Sequence, residues 1–113
     1  MAEFGEEPLG VAGKPDDREL ITGVRIFQNN PNPFKSGTLI SYQLPANGQV
    51  KITVYNIAGQ KVQTLFDGVI SAGTHTVRWN GRDQDGAMAA SGVYLYRLQA
   101  EGKSLVGKMT LLR

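Results

Sequence analysis

Apolar and polar residues alternate along most of the chain after residue 21, and glycine, proline, asparagine and aspartate interrupt the alternation at short intervals. Alternation of this kind puts successive side chains on opposite faces of an extended chain, which is typical of half-buried β-strands. The pattern predicts strands at residues 24–27, 38–44, 50–54, 62–66, 74–80, 92–100 and 104–112. Residues 68–73 are predicted to form a loop, with at most a brief strand at Val69-Ile70, because glycine begins and ends this segment.

About seven short strands with turns every 8–12 residues and no helical window indicate an all-β fold, an antiparallel β-sandwich of immunoglobulin-like architecture. Composition agrees, because 14 glycines and 5 prolines in 113 residues are incompatible with a helical bundle. The predicted core centres on one large aromatic residue and its inward-facing companions, namely Trp79, Tyr42, Val54, Tyr94 and Leu98.

Charge divides the chain near residue 20. Residues 1–20 carry six acidic and two basic residues, whereas residues 21–113 carry four acidic and ten basic ones. We therefore predict an acidic flexible linker at 1–20, whose first four residues resemble a vector-derived scar, and a folded basic module at 21–113. No apolar run is long enough for a membrane span, so none is expected.

The titratable residues do not predict an enzyme. The single histidine, His75, is in phase with Val77 and Trp79 and is expected in the core. Ser71, His75 and Asp67 would supply the residue types of a catalytic triad, but no Gly-x-Ser-x-Gly motif accompanies them and the chain has no cysteine. We expect no catalytic residue and no cofactor.

Two ligand classes are also disfavoured. The acidic turn at 83–86 contains two aspartates, but its glycine follows the second aspartate directly and no distal glutamate is at calcium-loop spacing, so an Asx-type turn is predicted and no metal site. The basic residues are scattered singly over the predicted strands, which does not favour nucleic acid. The net charge of the module is better suited to approaching an anionic surface such as lipopolysaccharide.

A series of motifs follows in order from residue 30 to the end of the sequence. They are Asn30-Pro31-Asn32-Pro33-Phe34, Thr38-x-Ile40-x-Tyr42-x-Leu44, Val54-Tyr55-Asn56-x-x-Gly59-Gln60, Gly73-x-His75-x-Val77-x-Trp79-Asn80-Gly81, Asp85-Gly86, Ser91-Gly92-Val93-Tyr94 and Lys108-Met109. Together they resemble the type IX secretion C-terminal sorting domain, a β-sandwich related to the immunoglobulin-like domain of flagellar hook-capping proteins.

The resemblance implies a module that directs an attached cargo protein through the type IX outer-membrane translocon. The implied partners are that translocon, a sortase-like peptidase and, after cargo transfer, lipopolysaccharide. The implied location is the periplasm in transit and then the cell surface or the medium. The recognition residues that the resemblance implies are Gly92, Tyr94, Lys108, Met109, Thr110, Leu111, Leu112 and Arg113.

Each of these features also has a purely structural interpretation. Gly92 and Tyr94 are expected to form a tight strand entry with a core tyrosine, and Lys108 an edge-strand charge that discourages sheet-to-sheet aggregation. A last strand at a sheet edge would offer its backbone to a partner by β-augmentation. Two other functions stay open: a structural module of the hook-capping type, and a carbohydrate-binding module that uses Tyr55 or Tyr96 as an exposed stacking platform.

Overall fold

The structure is a computed structural model that describes residues 23–113. The predicted acidic linker at 1–20 and its boundary at residue 21 lie outside these residues. The described part is all-β, with seven strands: β1 Arg25–Ile26, β2 Thr38–Leu44, β3 Gly48–Asn56, β4 Lys61–Ile70, β5 Gly73–Trp79, β6 Gly92–Ala100 and β7 Lys103–Leu111. No helix long and apolar enough to cross a membrane occurs in residues 23–113.

The strands form two antiparallel sheets that pack face to face. One sheet has three strands in the order β1-β2-β5, and the other has four in the order β4-β3-β6-β7. The predicted immunoglobulin-like sandwich is therefore confirmed. Strand β7 lies at one edge of the four-stranded sheet, beside β6, and residues Gly92 and Leu111 are paired at the end of this ladder.

The core lies between the sheets and consists of the inward-facing residues that the alternation predicted. Trp79 and Val54 are fully buried, and the Trp79 ring meets Phe34 and Tyr94 edge to face at 5.6 and 5.1 Å between centroids. Such aromatic pairs contribute about 0.5–1.5 kcal/mol beyond the area that they bury. Tyr42, Tyr94 and Leu98 are buried as well, so the predicted core of Trp79 and its companions is confirmed.

One prediction of secondary structure was wrong. The predicted strand 62–66 and the brief strand allowed at Val69-Ile70 are not separated by a turn, because β4 continues to Ile70 and pairs there with Gly48 of β3. Gly68 lies opposite Val50, and hydrogen bonding along the central strand outweighs the low strand preference of glycine. Irregularities in the pairing between Ile52 and Thr53 and between Val54 and Tyr55 also hide the alternation of β4.

Candidate functional site

The predicted recognition segment is divided between the core and the surface. Met109 and Leu111 point inward from β7 and are fully buried, in the same cluster as Trp79. Their neighbours Lys108 and Leu112 are exposed. The side chains of Met109 and Leu111 therefore stabilise the sandwich, and a partner of the folded domain meets only the other members of the segment.

The outer edge of β7 is already covered at its C-terminal half. The loop of residues 28–34, which we call the Asn-Pro loop, runs beside it and makes a parallel bridge between Phe34 and Leu111. The Phe34 amide donates to the Thr110 carbonyl at 3.0 Å, and the Leu112 amide donates to the Phe34 carbonyl at 2.8 Å. The Asn32 side-chain oxygen accepts from the Thr110 amide at 2.9 Å, and the Gln28 side chain donates to the Lys108 carbonyl at 3.0 Å.

This arrangement limits β-augmentation on β7. The last strand is at a sheet edge, but its backbone is not open there throughout, because Lys108 to Leu112 pair with the Asn-Pro loop. Ser104 and Val106 lie outside that contact, in ladder positions opposite Gln99 and Arg97. Only this N-terminal half of the edge offers room for an added strand.

The Asn-Pro loop is held by its own hydrogen bonds. Asn29 is buried, and its side-chain nitrogen donates to the Thr38 hydroxyl at 3.0 Å and to the Pro31 carbonyl at 3.2 Å. The Thr38 hydroxyl in turn donates to the Pro31 carbonyl at 2.8 Å. A buried polar network whose members are satisfied fixes one conformation, which explains the asparagine at position 29.

Arg113 binds three backbone carbonyls, two in the loop between β5 and β6 and one in the connection between β1 and β2. Its Nε donates to the Ala89 carbonyl at 2.8 Å, its Nη2 to the Gly81 carbonyl at 2.5 Å, and its Nη1 to the Lys35 carbonyl at 3.4 Å. Its amide donates to the Ser91 hydroxyl at 2.9 Å. Hydrogen bonds from a charged donor are stronger than neutral ones, so Arg113 ties the loops at this end of the sandwich together.

The Gly92-Val93-Tyr94 motif is the entry to β6. The Tyr94 hydroxyl donates to the Ala90 carbonyl at 2.6 Å, and its ring lies against Trp79. Gly92 has a φ of 156°, a backbone conformation that L side chains rarely adopt. The structural interpretation of this motif, a tight strand entry followed by a core tyrosine, is therefore confirmed.

The candidate catalytic and metal-binding residues make local structural contacts. The His75 ring nitrogen Nε2 bonds to the Ser71 backbone carbonyl at 2.7 Å rather than to the Ser71 hydroxyl, and the ring lies beside Tyr42. His75 is on the inner face, as predicted, but it is only half-buried. Within residues 23–113 no group of three or more histidine, cysteine or acidic residues is placed to hold a metal ion.

The acidic turn is an Asx turn, as predicted. One oxygen of the Asp83 side chain accepts from the amides of Asp85 at 3.0 Å and Ala87 at 2.9 Å. The Gly86 amide closes the turn on the Asp83 carbonyl at 3.0 Å. The Asp83 carboxylate is thus used to shape its own loop.

The proposed stacking platform for carbohydrate was wrong for one of its two residues. Tyr96 is only 1% exposed, because it faces the core. Its hydroxyl donates to the Phe27 carbonyl at 2.9 Å and accepts from the Asn29 amide at 3.2 Å. Burial raises its pKa above 10.0, although the hydrogen bond from the Asn29 backbone partly opposes this. Tyr55 lies on the outer face of the sheet, where the Arg97 guanidinium stacks on its ring.

Residues 29–104 match the FlgD Ig-like domain. The chain belongs to this family. No curated protein sequence gives a significant match.

Solved structures of two kinds resemble the chain. FlgD from P. aeruginosa is 27% identical with a TM-score of 0.53, and the match covers 66% of this chain and 58% of that one. PorZ, described as a bacterial surface component of the type-IX secretion system of Porphyromonas gingivalis, is 26% identical with a TM-score of 0.50, over 80% of this chain and 12% of PorZ. Latent PorU from the same species shares the fold, with a TM-score of 0.65 at 17% identity over 81% of this chain and 10% of PorU. The match thus covers a small part of PorZ and of PorU, and just over half of FlgD from P. aeruginosa.

Proposed function

We propose that this member of the FlgD Ig-like domain family is a sorting module that directs an attached cargo protein through the type IX outer-membrane translocon to the cell surface. The observation that carries the proposal is the 26% identity to PorZ over 80% of the chain, since PorZ is a surface component of that system. The motifs from the Asn-Pro loop to the last strand support it, because their order and spacing resemble the sorting domain. We propose no catalytic activity for the module.

The side chains available to a translocon follow from the burial of the recognition segment. Lys108 and Leu112 are exposed at the two ends of the segment 108–112, whereas Met109 and Leu111 between them are buried. We infer that Lys108 and Leu112 make the direct contacts. Gly92, Tyr94, Met109, Thr110, Leu111 and Arg113 act by keeping the end of β7 in place.

The test is a secretion assay in a bacterium that possesses the type IX machinery. The full chain is fused to the C-terminus of a fluorescent protein with a signal peptide, and surface and periplasmic fluorescence are measured. We expect surface delivery for the native sequence and periplasmic retention for Lys108→Glu. Lys103→Glu is the matched control, because Lys103 is also exposed on β7 but lies at its other end.

Point substitutions are preferable to a deletion of residues 108–113. Such a deletion removes Met109 and Leu111 from the core, so its failure would report unfolding. Retention of the folded native fusion in the periplasm would contradict the sorting function. Equal delivery of the Lys108→Glu and Lys103→Glu fusions would contradict the role of Lys108.

A second candidate function is favoured by the family itself and by the 27% identity to FlgD from P. aeruginosa. FlgD from Xanthomonas campestris, which shares the fold, is described as a hook-capping protein essential for flagellar assembly. We propose a structural role in a filament cap as the alternative. Co-sedimentation of the purified chain with assembled flagellar hooks tests it, and an absence of co-sedimentation would contradict it.

A further inference from the structure

The outer face of the four-stranded sheet contains a depression that the preceding functions do not use. It is lined by Tyr55, Gly59, Leu95, Arg97 and Val106 and has a volume of about 220 Å³; we call it the Arg97 pocket. Cross-strand pairing builds it, because Tyr55 lies opposite Leu95, and Arg97 lies opposite Val106. Three neighbouring strands therefore fix its walls.

Arg97 is held in one orientation at this pocket. Its guanidinium stacks over the Tyr55 ring at 5.1 Å from the centroid, and its Nη2 donates to the Tyr55 hydroxyl at 2.9 Å. A guanidinium has five N–H donors, so most of its hydrogen-bonding capacity is not used by this contact. None of the residues that line the pocket carries a carboxylate.

Two buried polar atoms without partners belong to Arg97 and to its cross-strand neighbour. Thr53 Oγ1 and Arg97 Nε are the buried side-chain polar atoms of residues 23–113 that make no hydrogen bond. Thr53 lies directly opposite Arg97 in the β3–β6 ladder. Because both atoms are buried, a ligand that approaches from outside would pair with the Nη1 and Nη2 atoms of the guanidinium instead.

We propose that the Arg97 pocket binds a glutamate or aspartate side chain of an extended segment of a partner protein, with apolar residues of that segment packing on Leu95 and Val106. A carboxylate is the complementary ligand, because it accepts two hydrogen bonds from a guanidinium in one plane. The volume favours a single side chain, since pockets for drug-sized ligands are about 300–1,000 Å³. Val106 is 56% exposed and provides the apolar rim. This interaction surface does not depend on the sorting function.

The direct test uses blocked pentapeptides as probes and amide NMR shifts of the full chain as the readout. We expect Ac-Val-Ala-Glu-Ala-Val-NH2, whose valines share a face with the glutamate in an extended chain, to bind saturably in the millimolar range, with shifts confined to the residues of the pocket. The neutral Ac-Val-Ala-Gln-Ala-Val-NH2 should bind at least about tenfold more weakly, because it forms no charge-assisted hydrogen bond. Equal binding of the two peptides, or shifts spread over the surface, would overturn the proposal.

Two small ligands test the assignment of the partner. Acetate supplies the carboxylate without apolar residues, and it should bind at least about tenfold more weakly than the acidic peptide. Maltose supplies a sugar ring that would stack on Tyr55, and it should produce no saturable shift. Binding of acetate as tight as that of the peptide would overturn the apolar contacts, and binding of maltose at the same amides would replace the proposal with a carbohydrate site.

Matched variants distinguish binding in the Arg97 pocket from a general attraction of the acidic peptide to positive charge. Arg97→Gln should weaken the acidic peptide by about ten- to hundredfold, whereas Arg78→Gln removes an exposed arginine from β5 of the other sheet and should leave binding unchanged. Equal effects of the two substitutions would overturn the proposal.

A second pair of variants keeps Arg97 in place. Val106→Glu tethers a carboxylate opposite Arg97 and should block the acidic peptide, whereas Val106→Gln removes only the apolar contact and should weaken binding much less. Because Val106 is exposed on an edge strand, both variants should fold. Unimpaired binding to Val106→Glu would overturn the proposal even if Arg97→Gln did not fold.

Discussion

Gly107 on β7 is the position where a single methyl group should have the largest effect. It lies opposite Tyr96 in the β6–β7 ladder, and a Cβ atom at this position would overlap the Tyr96 phenol ring and its hydroxyl. The Tyr96 ring covers the glycine, and its hydroxyl hydrogen-bonds the Phe27 carbonyl and the Asn29 amide. Gly107→Ala therefore requires Tyr96 to move.

The expected loss in the free energy of unfolding has two parts, the overpacking of the core and the loss of hydrogen bonds. Forcing a methyl group into a packed core costs about 1–3 kcal/mol. Displacing the Tyr96 hydroxyl breaks two hydrogen bonds, each with a net value of about 1 kcal/mol. The free energy of unfolding should fall by about 4 kcal/mol, which lowers Tm by roughly 15–30 °C for a domain of this size.

The assay is thermal and guanidinium unfolding followed by the fluorescence of Trp79, the one tryptophan in the chain. Gly48→Ala is the control, because Gly48 also lies in a strand but a Cβ atom there meets nothing within 4 Å. We expect Gly48→Ala to leave stability unchanged or to raise it by about 0.5–1 kcal/mol. Equal effects of the two substitutions would refute the reasoning.

A double-mutant cycle tests the stated cause. In a Tyr96→Leu background the phenol ring and its hydroxyl are absent, so Gly107→Ala should cost less than about 1 kcal/mol. The interaction energy of the pair should therefore be about 3 kcal/mol. An unchanged cost of Gly107→Ala in both backgrounds would show that contacts other than Tyr96 determine it.

Three further substitutions give distinct expectations. Phe34→Ala empties a buried site against Trp79 and should lower the free energy of unfolding by about 3–5 kcal/mol; a loss below 1 kcal/mol in guanidinium unfolding would contradict this packing. Asp83→Ala should lower it by about 1–2 kcal/mol because two backbone amides lose their acceptor, whereas Asp85→Ala should leave the midpoint nearly unchanged. Burial raises the pKa of the Tyr42 phenol above 10.0, so the unfolded state loses its proton first. The contribution of Tyr42 to the free energy of unfolding should be constant below about pH 10 and fall above it. In urea unfolding between about pH 8 and pH 11, Tyr42→Phe should therefore lose less stability at high pH than the native protein. An identical loss in both proteins would contradict the raised pKa.

The alternation predicted best the strands that have one face buried against the other sheet and the opposite face less buried. Strand β2 alternates between buried and less buried residues along its whole length, so its period of two is visible in the sequence. Strand β4 lies at an edge and is half-buried on both faces, and its irregular pairing with β3 removes the period. The end of β4 at Ile70 depends on its pairing with Gly48 of β3, and the residues around Ile70 carry no sequence pattern that shows this pairing.

The site residues were predictable to a similar extent. The alternation put Tyr94, Met109 and Leu111 on one face and Lys108 on the other, as the structure has them. It also put Tyr96 in phase with Tyr94 and Leu98, so the burial of Tyr96 was predictable and the hypothesis of an exposed stacking platform did not follow the alternation. The contact of the Asn-Pro loop with β7 joins segments about 80 residues apart, and such a pairing leaves no periodic signal.

The parallel contact between the Asn-Pro loop and β7 has a mechanical consequence. Parallel neighbours run in the same direction, so a force that pulls the chain before residue 24 away from residue 113 slides the two segments past each other. The bonds of Phe34 with Thr110 and Leu112 then carry the load together, in shear, instead of opening one after another. The domain is thus expected to resist this force most strongly where the Asn-Pro loop meets β7.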